Sequence, residues 1–61
     1  MLAADCTPGL AVIYRPHPGA PAEDGVIVRR RHDLVMVTYS NGPEAGKTCA
    51  THPGDLEPAH P

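Results

Sequence analysis

The chain has 61 residues, a formal net charge of −2 and neither phenylalanine nor tryptophan. That length allows one domain, which buries only about 60% of the surface exposed by the unfolded chain, and it excludes a nucleotide fold with crossover helices. No apolar run approaches the roughly 20 residues of a membrane span, and the charge gives no global reason to bind nucleic acid or an anionic membrane.

In chain order, residues 1–7 are expected as a loosely ordered N-terminal tail. "MLAADC" has the outline of a lipoprotein cleavage box, but Asp5 stands where a small residue is needed and no basic or apolar stretch precedes Cys6. The expected compartment is therefore the cytoplasm, with Cys6 and Cys49 as reduced thiols. Eight prolines and six glycines break every window long enough for a helix except residues 26–39, which are β-branched, so the fold class is all-β. Strands are expected over "GLAVIY" (9–14), "GVIVRR" (25–30), "LVMVTY" (34–39), "TCAT" (48–51) and "LEP" (56–58).

The connections carry their own signals. Residues 15–24 hold three prolines and no apolar anchor larger than alanine, which marks a long excursion. Arg31-His32-Asp33 suits a tight antiparallel hairpin. Pro53 is placed to start one short 3-10 turn before the last strand. The core must come from Leu10, Val12, Ile13, Tyr14, Val26, Ile27, Val28, Leu34, Val35, Met36, Val37, Tyr39 and Leu56. Alternation in the third strand puts Val35, Val37 and Tyr39 on one face, expected inward, and Leu34, Met36 and Thr38 on the other, as an interaction surface or the floor of the long loop. Such a thin core favours a closed sheet, a staple or a second subunit, which leaves homo-oligomerisation open.

The order of five short strands, a long first loop, a tight central hairpin and one helical turn resembles the SH3-like small barrels, including Tudor and KOW-type modules and short bacterial and phage proteins of that shape. The likeness rests on Gly9, Val12, Gly25, Ile27, Val35-x-Val37-x-Tyr39 and "PGDLEP" (53–58), and covers residues 8–58. It implies a single five-stranded SH3-like barrel, with residues 59–61 as a C-terminal tail. It does not carry the ligands across: a methyl-lysine cage or a proline-binding groove needs several aromatics, and only Tyr14 and Tyr39 are present.

Four motifs bear on chemistry. "SNGPEAGKT" (40–48) ends like a phosphate loop, but only three residues separate Gly42 from Gly46 where four are needed, and a strand follows instead of a helix, so it is expected to be a hairpin connection. Cys49 and His52, joined by Cys6 and His17, have the composition of a zinc site, which gives a zinc-stabilised mini-domain as one alternative. Arg29, Arg30 and Arg31 are the only concentrated positive charge; they read as a soluble hairpin tip that discourages edge-to-edge pairing, or as a nucleic-acid contact in an accessory protein. Ser40 is the only serine and has no evident base, so no enzymatic activity and no cofactor are expected. The expected role is a non-enzymatic binding or accessory module acting through a surface patch, with a protein as partner and no membrane.

Overall fold

The β-branched and aromatic runs form strands because their side chains pack on a pleated, half-buried surface. In the computed structural model, which describes residues 1–59, these are β1 (Ala11–Tyr14), β2 (Glu23–Arg31), β3 (Leu34–Tyr39), β4 (Thr48–Thr51) and β5 (Leu56–Pro58). Single 3-10 turns span Ala3–Asp5 and Pro53–Asp55. The strands make one antiparallel sheet in the order β4-β3-β2-β1-β5, and the molecule measures 26 × 23 × 23 Å. No helix among the described residues is long and apolar enough to cross a membrane.

The last three strands and the 3-10 turn before β5 have the bounds expected from sequence. β1 begins at Ala11 rather than Gly9, yet the ladder continues outward: Ile27 N–H donates to Leu10 O at 2.9 Å and Gly9 N–H to Ile27 O at 2.7 Å. β2 runs further at both ends, from Glu23 to Arg31, because pairing with Tyr14 and Leu34 overrides the weak strand preference of its charged residues. The turn between β2 and β3 is His32-Asp33, with His32 at φ 57°, a left-handed conformation that histidine tolerates better than most residues.

The inner face carries the core: Cys6, Val12, Ile27, Val35, Val37, Tyr39 and Leu56. Val35, Val37 and Tyr39 do alternate inward against half-buried Leu34, Met36 and Thr38. Val26 and Val28, expected in the core, are instead 44% and 46% exposed. A β-bulge explains part of this. Ile27 pairs with Val37 and Arg29 with Met36, so Val28 is an extra residue with no partner, while Val26 lies opposite Thr38 on the outer face.

At Gly25, β2 packs tightly against β3. A Cβ there would stand 2.5 Å from Val37 Cγ1 and 3.1 Å from Thr38 O, so only glycine allows the two strands to approach this closely.

Residues 1–7, expected as a loose tail, contribute Cys6 to the core, and its thiol donates to Leu2 O at 3.4 Å. Burial pushes the Cys6 thiol up from its ordinary value. A core without phenylalanine or tryptophan accepts a small, soft side chain as filler, and this ties the segment down. At the other end, Ala59 N–H donates to Ala11 O at 3.0 Å; residues 60–61 of the expected C-terminal tail lie outside the described residues.

Candidate functional site

Register brings together residues that are far apart in sequence. Tyr14 lies opposite Glu23, Gly25 opposite Tyr39, Val37 opposite Cys49 and Val35 opposite Thr51. With two-residue alternation, all of these face inward. Where β1 and β3 finish, the apolar core therefore gives way to Tyr14, Tyr39 and Glu23, while the Cys49 thiol and the Thr51 hydroxyl follow along β4 opposite Val37 and Val35.

The two tyrosine rings pack edge to face, with centroids 5.7 Å apart and planes at 66°, the arrangement favoured by their quadrupoles. Tyr39 is buried, and its hydroxyl shares a 2.6 Å hydrogen bond with that of Thr51, the one buried polar side chain of the described residues. Burial pushes the Tyr39 hydroxyl up from its ordinary value, with the Thr51 hydrogen bond opposing the shift. Tyr14 is only half-buried and turns to an open cleft of about 490 Å³. Pro43 and Glu44 form one wall of it, and His52 and Asp55, flanking the last 3-10 turn, form another. A second hollow of about 370 Å³ shares Pro16, Glu23 and Pro43 with the first and continues past His17, Pro21 and Asn41.

The cleft wall is held by the connection 40–47. Asn41 Nδ2 donates to Asp24 Oδ2 at 2.7 Å, and its Oδ1 accepts the Asp24 N–H at 2.9 Å. Ser40 N–H donates to Asp24 O at 2.9 Å, and Gly46 N–H to Tyr39 O at 2.8 Å. Gly42 and Gly46 take φ values of 79° and 82°, which their lack of a Cβ permits. Thr48 then opens β4, so the Gly-Lys-Thr corner joins two antiparallel strands and no helix N-terminus stands behind it.

Three carboxylates, Glu23, Glu44 and Asp55, line the cleft; among its lining residues only His52 is able to carry positive charge. Lys47 Nζ reaches Glu44 Oε2 from outside at 4.0 Å, with both side chains well exposed, a pair worth little in water. The Cys49 thiol donates to the same oxygen across 3.7 Å. Desolvation first, and then the Glu44 charge, push this thiol up from its ordinary value, so it stays protonated near neutral pH. Glu23 Oε1 is shielded from solvent with no hydrogen-bond partner among the described residues, and it packs beneath Gly42.

The residues singled out from sequence are scattered. Arg29, Arg30 and Arg31 are all exposed, but the bulge splits them. Arg30 lies opposite Val35, on the inner side, and its Nη1 donates to Ala3 O at 3.4 Å; Arg29, opposite Met36, and Arg31 lie on the other side. Of the four zinc candidates, Cys49 and His52 both line the cleft, whereas Cys6 is in the core and His17 borders the second hollow. No group of three or more His, Cys, Asp or Glu side chains among the described residues is close enough to hold a metal ion. The cleft itself escaped the sequence, because its carboxylates come from a strand, a loop and a 3-10 turn with no common spacing. The one signal available was that the only two aromatic residues end two different strands.

No protein-family model matches the chain, and no curated protein and no solved structure matches it either.

Proposed function

We propose that the chain is a small non-enzymatic binding module whose cleft receives a cationic segment of a partner protein. The observation that carries this is the lining of the cleft: three carboxylates and the exposed part of Tyr14 surround an open volume of about 490 Å³, with no lysine or arginine among them. A Lys or Arg side chain entering there meets opposite charge on several sides and an aromatic surface for its stem and head. The protonated thiol of Cys49 supports a binding role over nucleophilic chemistry, and two unpaired cysteines support a reducing, cytoplasmic setting.

The fold that goes with this proposal is an SH3-like barrel. Supporting it are the strand order, with β1 between β2 and β5, the tight β2–β3 hairpin and the 3-10 turn before β5. The nearly equal dimensions, 26 × 23 × 23 Å, favour a sheet curled on itself over a flat layer about 10 Å thick.

Fluorescence anisotropy with labelled penta-lysine and penta-glutamate peptides tests the function. The expected result is binding of penta-lysine alone, strengthening as salt is lowered, because the attraction is between partly exposed charges. Binding of penta-glutamate, or of a DNA duplex in a manner lost on replacing Arg29 and Arg31 with glutamine, overturns the proposal in favour of the arginine-bearing end.

A further inference from the structure

The connection that walls the cleft contains Asn41-Gly42, and the geometry points to a modification site there: Asn41 undergoes spontaneous deamidation at a rate governed by its clamp to Asp24, and the product unlatches the 40–47 wall. An asparagine followed by glycine is chemically prone to this reaction, because no Cβ shields the following backbone nitrogen. Gly42 N–H makes no hydrogen bond among the described residues, and Asn41 is exposed to water. The reaction needs only water and a transient base from solvent. Gly42 N loses its proton and attacks Asn41 Cγ; the N–Cγ bond forms, the Cγ–Nδ2 bond breaks, and Nδ2 leaves as ammonia after taking up a proton. Water then opens the five-membered imide at either carbonyl, giving aspartate or isoaspartate at position 41.

Two features of the fold act on this chemistry. Both ends of the Asn41 amide are engaged by Asp24, at 2.7 Å and 2.9 Å, which restrains Cγ from swinging toward Gly42 N. After reaction, the donor facing Asp24 Oδ2 is gone and a carboxylate stands in its place, so attraction turns into like-charge repulsion. The isoaspartate product also inserts a methylene into the backbone just before Gly42, which packs over the Glu23 side chain. Pro43 and Glu44, the next residues, are the wall of the cleft.

Trypsin releases residues 32–47 as one peptide, so mass spectrometry with an isoaspartate readout follows position 41 in the ageing protein. In mildly alkaline buffer the folded chain is expected to deamidate at least about tenfold more slowly than the urea-unfolded chain. Asp24→Ala, which removes the charged acceptor, is expected to accelerate the folded chain about tenfold, in line with the loss of a charge-assisted hydrogen bond. Asp24→Asn keeps a neutral side-chain oxygen able to accept from Asn41 but loses the charge assistance, and is expected to fall between the wild-type and Asp24→Ala rates. Circular dichroism establishes that both variants are folded. An Asp24→Ala protein that is folded and deamidates at the wild-type rate, or a folded wild type as fast as the unfolded chain, overturns the inference.

Discussion

The two ends of β2 differ sharply in charge and in surroundings. The strand starts with Glu23 and Asp24, which meet Tyr14, Asn41 and the cleft, and it finishes with Arg29, Arg30 and Arg31 at the open hairpin. At the acidic end, chain from three parts of the sequence converges, a buried hydroxyl pair and a double clamp fix the geometry, and the carboxylates line a hollow. At the basic end a two-residue turn closes the ladder, and the bulge at Val28 throws adjacent arginines to opposite sides. A formal net charge of −2 thus conceals a separation of charge along one strand, and it is convergence, not local charge density, that marks the cleft proposed to receive a cationic segment.

The largest effect is expected midway between the ends. Gly25→Ala forces a methyl against Val37 Cγ1, and Val37 is fully buried with nowhere to move. A loss of about 1–3 kcal/mol is expected by urea denaturation, enough in a domain this small to destroy both ends together. Unchanged stability would mean that β2 and β3 are not in this register.

At the acidic end, Thr51→Val leaves the Tyr39 hydroxyl buried without its partner, at an expected cost of about 1–3 kcal/mol. Adding Tyr39→Phe should recover most of it, because removing both polar groups spares the desolvation penalty. A double variant as unstable as the sum of the two single ones would show that the hydroxyl pair is not the unit described.

Alkaline titration separates the buried groups from the exposed ones. Desolvation pushes the pKa values of Tyr39, Cys6 and Cys49 up, so the folded chain holds protons that the unfolded chain has already released. Stability is complete below the ordinary thiol value of 9.0 and falls as pH rises through 9.0 and 10.0 into the raised range. Tyr39→Phe is expected to flatten the upper part of that decline.

The smallest effects concern charge. Glu44→Gln is expected to weaken penta-lysine binding by up to about fivefold, the scale of one partly exposed ion pair, whereas Arg29→Gln should leave it unchanged or slightly tighter.

Much of the fold could be read from residue order, and most of the site could not. β3, β4, β5 and the turn at Pro53 were predictable because their signals are local: alternation over Val35, Val37 and Tyr39, a proline at a turn start, a glycine after it. The spacing of residues 42–48 likewise argues against a phosphate loop, and β4 beginning at Thr48 agrees. The exposure of Val26 and Val28 was hidden because a continuous β-branched run has no phase; only the bulge assigns faces. The burial of Cys6 depends on its contact with a core built from distant strands, which no local pattern reveals. The cleft depends on register, since Tyr14 meets Glu23 and Tyr39 meets Gly25 only once the ladders are in place.

The most direct test is a residue-resolved NMR titration of the isotope-labelled chain with penta-lysine. Saturable shifts are predicted for the amides of Tyr14, Glu23, Glu44 and Asp55, with residues 29–33 unmoved. Shifts confined to residues 29–33, or spread evenly along the chain, would contradict a cation-binding cleft at the acidic end of β2.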